Sequence, residues 1–206
     1  MIEIRKVAGI YFKNFLRLTL PYILPVGGYS FSPVRISTPL AIIFAVVYFF
    51  AIGITVMDVW GALNDLSFGL LNNIFYVIRK IPQLIISLIL VLPPGVLIFY
   101  LFLNFFSYYL FVLLAAYPFF IIYVIPISLI GCQGPLKSIK SSFELAWEHP
   151  GRTALLTFPP VLIITYLFVY SWRVFNFLFF VPIWVTLITQ SYCKIVNCKG
   201  PTSYFQ

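Results

Sequence analysis

Few side chains in this sequence could carry chemistry, and their spacing does not assemble a catalytic set. Ser141 is followed by a second serine, but neither hydroxyl has a His or Lys base within plausible reach to activate it. His149 follows Glu148 directly, and adjacent residues of a helix do not face one another, so a helix-terminal histidine is favoured over an acid–base pair. Cys193 and Cys198 offer two thiols where a structural zinc site needs four ligands. We therefore predict no enzyme activity, no metal and no cofactor.

The basic side chains are the remaining candidates, and the chemistry they suggest is recognition of phosphate. Lys13 and Arg17 are one helical turn apart and suit a phospholipid headgroup. Long cationic side chains that reach the membrane surface from an apolar helix give the same pattern, so both interpretations stay open. The residues predicted to contact lipid headgroups are Lys13, Arg17, Arg79, Lys80, Lys137 and Lys140.

The acidic residues all fall at predicted inner boundaries of the membrane. They are Glu3, Asp58, Asp65, Glu144 and Glu148. Ion-coupled transporters usually hold an ionisable group inside the helix bundle, because a charge there is costly and is retained for function. No such group is predicted at mid-membrane, which weighs against ion-coupled transport.

The composition requires a bilayer as solvent. Of 206 residues, 62% are hydrophobic and only 9% are charged, whereas about a quarter are charged in soluble domains. The net charge of +8 is a topology signal, since the chain has too little aqueous surface for a nucleic-acid face. We predict no nucleic-acid partner.

Apolar stretches long enough to cross a bilayer recur along the chain. Five are clear, at 38–57, 82–104, 107–130, 152–170 and 174–193. A sixth, at 15–29, is shorter and contains Pro21, Pro25 and a glycine pair that would kink a helix. Hydropathy alone leaves five and six crossings undecided.

The distribution of positive charge favours six crossings. With six crossings and both termini in the cytoplasm, only Arg35 and Arg173 of the 13 Lys and Arg residues lie outside, as the positive-inside rule requires. The predicted fold is an all-α integral protein of the cell membrane with six transmembrane helices, arranged as three helical hairpins.

Three inner segments have apolar and polar residues on opposite helix faces. They are Ile4–Arg17, Trp60–Lys80 and Pro135–His149. Such helices lie in the membrane interface with the apolar side down. Pro135 suits the first turn of its helix, and Pro150 ends the same run.

An internal repeat is indicated by two decapeptides, PPGVLIFYLF at 93–102 and PPVLIITYLF at 159–168, which match at six of ten positions. The repeat unit would be an inner amphipathic helix followed by two spanning helices. It predicts that Pro82 and Pro150 both begin a spanning helix. Repeat-like units are predicted at about 1–58, 59–131 and 132–206 of a single membrane domain.

The stretch GPLKSIKSSFELAWEHPGRTALLTFPPVLI, at 134–163, resembles the repeated element of the membrane domain of glycerophosphodiester phosphodiesterases and of related uncharacterised six-helix prokaryotic membrane families. The likeness lies in layout: a short basic helix, a polar break and a spanning helix. It implies the six-helix architecture and carries over no active-site residue, because the phosphodiesterase catalytic domain is not in this sequence.

The predicted function is that of a non-enzymatic membrane subunit or scaffold whose partners are membrane lipids and other membrane protein subunits. Its interior is expected to be filled by Phe, Leu and Ile. The alternative is a permease or lipid-handling transport protein, which a polar, water-lined cavity would favour.

Overall fold

A computed structural model describes residues 9–10, 12–30, 38–64, 66, 69–105, 108–169 and 176–196, and all secondary structure in these ranges is helical. The helices are α1 (Phe15–Ser30), α2 (Thr38–Leu63), α3 (Leu70–Phe105), α4 (Tyr108–Ile121), α5 (Val124–Leu129), α6 (Pro135–Glu148), α7 (Pro150–Val169) and α8 (Val181–Val196), with a π-helical turn at Asn176–Phe180 before α8. The predicted all-α class is confirmed.

Among the residues that the structure describes, three helical segments are long and apolar enough to cross a membrane. They are Val46–Leu63, Leu70–Ile98 and Leu178–Val196, of 18, 29 and 19 residues. Arg35 and Arg173, on which the predicted outer side depends, lie outside the described residues, as do Cys198 and Lys199.

The inner amphipathic segment predicted at Trp60–Lys80 is not a separate helix, which corrects the prediction. Its first residues end α2, and Leu70–Lys80 continues into the spanning stretch as the 36-residue helix α3. Pro82 lies inside α3. A proline removes one backbone hydrogen bond and bends a helix without necessarily ending it, and an apolar run on its C-terminal side favours continuation.

Pro150 behaves differently from Pro82, so the prediction that both begin a spanning helix is wrong for Pro82. Helix α6 has Pro135 in its first turn, as predicted, and ends at Glu148. His149 leaves helical geometry with φ −126° and ψ 56°, and α7 begins at Pro150. The residue before a proline is biased away from helical geometry, which accounts for this break.

The predicted span at 107–130 is interrupted at Ile122 and Tyr123, between α4 and α5. Pro126 has no N–H to donate to the preceding turn. Ser142 of α6 forms hydrogen bonds with the backbone at the interruption. Its hydroxyl donates to the Phe120 carbonyl at 2.7 Å, and it accepts a hydrogen bond from the Tyr123 N–H at 3.2 Å. Ser142 is therefore a structural residue that fastens α6 to the α4–α5 break.

The core is built around α2, which contacts α1, α3, α5 and α8. Helices α2 and α3 run antiparallel and approach closely at Gly53, where an added Cβ would lie 2.9 Å from Val77 Cγ1. The predicted interior of Phe, Leu and Ile is wrong for phenylalanine only: in the described part of the chain no buried side chain is a phenylalanine, whereas Leu and Ile side chains are buried. The large buried side chains include Trp60 and four tyrosines, and many smaller ones are Ser or Thr. In a bilayer, phenylalanine gains nothing by facing inward, whereas small polar residues allow close packing and interhelical hydrogen bonds.

Candidate functional site

A buried charged network joins the first three helices. Asp58, near the end of α2, has a side chain only 3% exposed. Its Oδ1 accepts hydrogen bonds from Arg17 of α1, from Nε at 3.0 Å and from Nη2 at 2.6 Å. The same oxygen accepts a third hydrogen bond from Asn73 Nδ2 of α3. An ion pair of this kind holds α1, α2 and the start of α3 in register.

The network leaves two acceptor oxygens uncovered. Asp58 Oδ2 and Asn73 Oδ1 are both buried, and no donor among the described residues reaches either one. Buried acceptors without a donor are costly and therefore mark places of interest. The expectation that no ionisable group lies inside the bundle needs correction, because Asp58 is buried within the apolar segment Val46–Leu63.

Hydrogen bonds tie the loop between α5 and α6 to the side of α3. Gln83 Nε2 donates to the Gln133 carbonyl, and Ser141 Oγ donates to Gln133 Oε1 at 3.0 Å. Tyr76, two turns before Gln83, donates its hydroxyl hydrogen to the Leu129 carbonyl at 2.7 Å. The N-terminal end of α6 and residues 76–83 of α3 therefore lie at one level of the molecule.

This level brings together four of the six residues predicted to contact lipid headgroups. Arg79 and Lys137 are exposed, and Lys140 is 3.7 Å from Glu144 in an exposed i,i+4 pair. Lys80 is half-buried, with its Nζ 6.0 Å from the centre of the Tyr76 ring. This cation–π geometry turns the ammonium of Lys80 back toward the N-terminal end of α3.

Lys13 and Arg17, the other two residues predicted to contact headgroups, have different environments. Lys13 is exposed before α1. Arg17, whose side chain is 33% exposed, directs its guanidinium to Asp58. The sequence left open a phosphate partner or a cation that reaches the membrane surface, and the partner found is a carboxylate 41 residues further along the chain.

Two apolar cavities flank the α4–α5 break. One, of about 170 Å³, lies between α2, α3 and the break; the other, of about 190 Å³, lies between α2, the break and α8. Polar residues in the linings are Ser87 in the first cavity and Thr189 in the second. Both hydroxyls bond to carbonyls of their own helices, Ser87 to Gln83 and Thr189 to Val185. The cavities therefore present apolar walls.

On the polar face of α8 the sequence had singled out Gln190, which was predicted, with Asn104, Thr165 and Gln83, to link helices by hydrogen bonds. Thr186, Thr189, Gln190 and Ser191 are all buried. The threonines bond to their own helix, but neither amide atom of Gln190 has a partner among the described residues. Thr186 and Gln190 are one helical turn apart, and this spacing was the sequence feature that could have predicted a polar face. Asn104, expected to link helices, is exposed and bonds back to Tyr100 at 2.7 Å.

Within the described ranges, no group of three His, Cys, Asp or Glu side chains is placed to hold a metal ion. The chain matches no protein-family model, no curated protein and no solved structure. The architecture-level resemblance to phosphodiesterase membrane domains therefore stays a prediction.

Proposed function

We propose that the chain is a multi-pass protein of the cell membrane, with six crossings and cytoplasmic termini, and that it is a non-enzymatic subunit of a membrane complex. The observation that carries the proposal is the N-terminal extension of α3. A continuous helix of 36 residues is about 54 Å long, whereas the hydrocarbon core of a bilayer is about 30 Å thick.

The extension carries an apolar stripe that lipid does not cover. Leu71, Phe75 and Ile78 share one helix face and are 67%, 61% and 45% exposed. Arg79 and Lys80 are the last charges before the apolar run and place the membrane surface near Ile81. Leu71 then lies about 15 Å beyond that level, because α3 rises about 1.5 Å per residue. A separate interfacial helix could lie flat and bury such a stripe, but the extension of a crossing helix cannot.

The occupant that best fits the stripe is another membrane protein chain with an apolar groove and an acidic rim. The apolar part would cover the stripe, and the acidic rim would face Arg79. A second copy of this chain fits less well, because a net charge of +8 on each copy is repulsive.

A photo-crosslinking amino acid at Phe75 tests the proposal in native membranes. It should yield an adduct with a distinct protein of fixed mass, while the same probe at Ile89, 61% exposed in the apolar run, should yield lipid adducts. Phe75→Gln should abolish co-purification of that protein, and Leu136→Gln, at an exposed position of α6, should not. Equal lipid labelling at both probe positions would contradict a partner at the stripe.

The topology is tested separately by single cysteines on a cysteine-free background. An impermeant maleimide applied to intact cells should label position 173 and spare position 137. The reverse pattern is incompatible with six crossings and cytoplasmic termini.

A second candidate, a permease, is favoured by one specific observation: Asp58, Asn73 and Gln190 carry buried polar atoms that have no hydrogen-bond partner among the described residues. Such groups can replace the water of a solute. The apolar cavities argue for the subunit instead, and a flux measurement separates the two.

A further inference from the structure

We propose that the cavity between α2, α3 and the α4–α5 break binds one acyl chain of an anionic phospholipid from the inner leaflet, with its phosphate at Lys80. The inference rests on the membrane placement in the proposed function and adds a ligand class and a site. The lining residues are Val46, Phe49, Phe50, Ile81, Leu84, Ile85, Ser87, Leu88, Val91, Ile121, Val124 and Ile125.

The chemistry of the cavity selects an apolar occupant. The hydroxyl of Ser87, the polar group in the lining, donates its hydrogen to the Gln83 carbonyl at 3.0 Å and leaves only its oxygen as an acceptor for a polar solute. A volume of about 170 Å³ is close to that of an engineered apolar cavity that stays dry and admits benzene. Hydrocarbon fits this space, whereas a water molecule in it would lack the two to four polar partners that it needs.

The length of the cavity matches one leaflet. Along α3 it extends from Ile81 to Val91, a rise of about 15 Å. Half of a hydrocarbon core of about 30 Å is the same distance. An acyl chain entering at the level of Ile81 would therefore reach the bilayer centre near Val91.

A cation stands at the entry. Lys80 precedes Ile81 and lies one turn before Leu84 on the same face of α3, so it continues the lining face toward the membrane surface. Its Nζ is near the Tyr76 ring, toward the N-terminal end of α3 and therefore on the headgroup side of the entry. A zwitterionic headgroup offers a weaker net attraction to this ammonium than an anionic one.

The site is separate from the charged network on the same helix pair. Helices α2 and α3 meet first at Asp58 and Asn73, then at Gly53 and Val77, and the cavity begins beyond these contacts. Arg17 belongs to this network, whereas Lys80 directly precedes the lining residue Ile81. Substitutions can therefore fill the cavity or remove the charge of Lys80 without affecting the network.

Native mass spectrometry of the full chain in mild detergent tests the site, with phosphatidylglycerol and phosphatidylcholine titrated as competing probes. Phosphatidylglycerol should be retained at a stoichiometry of one. Lys80→Gln should weaken its retention about fivefold, the effect of one cation near an anionic headgroup, whereas Lys194→Gln, an exposed cation of α8, should not.

Substitutions that fill the cavity provide an independent test of the site. Ile85→Trp and, from the facing helix, Val46→Phe should both abolish retention, while Ile89→Trp, one turn away and outside the lining, should leave it unchanged. Two fillers from different helices guard against a single misfolded variant. Retention that survives both fillers overturns the site, as does equal retention of the two lipids. A chain that stays in the membrane fraction without retaining lipid contradicts this inference alone, and a chain absent from that fraction contradicts the proposed function.

Discussion

At the scale of single residues, Asp58 changes what the sequence suggested. It lies five residues before the end of α2, and its position in the sequence therefore predicted a location at the membrane surface. Its side chain instead turns into the bundle, and its cation comes from a different helix. Periodicity within one helix shows which face is apolar but does not identify a partner 41 residues away. Removing one member of a buried pair strands the other, which is the basis of the first prediction.

A double-mutant cycle on Arg17→Gln and Asp58→Asn should give a coupling of about 2 kcal/mol in the free energy of unfolding. This is less than the loss of about 3–5 kcal/mol typical when a buried pair is broken, because the Arg17 side chain is 33% exposed and can be solvated. The exposed pair Lys140–Glu144 is the matched control, with an expected coupling of about 0.3–0.5 kcal/mol. Equal couplings for the two pairs, measured by denaturation in detergent, would show that the network contributes no more than a surface contact.

Substitution of Gln190 should change the free energy of unfolding in the opposite direction. Both of its amide atoms are buried without a partner among the described residues, so Gln190→Leu should raise the free energy of unfolding by about 1 kcal/mol. Gln83→Leu, which loses the bond to the Gln133 carbonyl, should lower it. Destabilisation by Gln190→Leu in thermal unfolding would mean that this side chain has a partner in the membrane-embedded protein.

At the scale of elements, the sequence predicted the helical class and the start of α6 at Pro135, because hydrophobic spacing and turn residues act locally. It did not predict that Leu70–Lys80 continues through Pro82, whereas α6 stops before Pro150. Both prolines follow amphipathic runs, so their local patterns are alike. The interruption between α4 and α5 was missed for a related reason, since Ser142, from another element, completes its hydrogen bonds.

The continuity of α3 predicts a distance. Spin labels at the exposed residues Asn72 and Asn104 should be separated by about 48 Å, since 32 residues of helix rise about 1.5 Å each. An inner helix lying in the membrane plane up to Lys80 would shorten this distance to about 38 Å by the same geometry. Labels at Ile89 and Asn104 serve as the internal control, at about 22 Å in either arrangement. Pulsed electron spin resonance in nanodiscs measures both pairs.

The close approach of α2 and α3 depends on Gly53. Gly53→Ala should destabilise the protein by about 1–3 kcal/mol, because its Cβ would lie 2.9 Å from Val77 Cγ1. Gly151→Ala, in the first turn of α7, has nothing within 4 Å of the added atom and should be neutral or slightly stabilising. A neutral Gly53→Ala in thermal unfolding would indicate that Val77 adjusts its rotamer at little cost.

At the scale of the whole molecule, the distribution of residues is that of a protein solvated by lipid. Along α3 from Ile81 to Ile98 the exposed large side chains are Ile, Leu and Val, and only 6% of an 18-residue apolar stretch of this helix is buried. The buried side chains of the described residues combine Val, Ile and Leu with Tyr, Thr and Ser. Composition predicted the membrane as solvent, but not this inward polarity, because the prediction assumed that apolar residues fill a core as they do in water.

The last prediction concerns passage across the bundle. Purified protein in liposomes should show no ion or solute flux above that of protein-free liposomes. The reason is that both cavities are apolar and that their polar lining residues, Ser87 and Thr189, are bonded to their own helices, so no group along them replaces the water of a solute. In the proposed subunit, Asp58 holds helices together through Arg17 and Asn73, whereas a permease would use buried polar groups such as Asp58 and Gln190 to coordinate a solute. Flux that is lost in Gln190→Leu but retained in Asn104→Leu, an exposed position, would reverse the choice between subunit and permease.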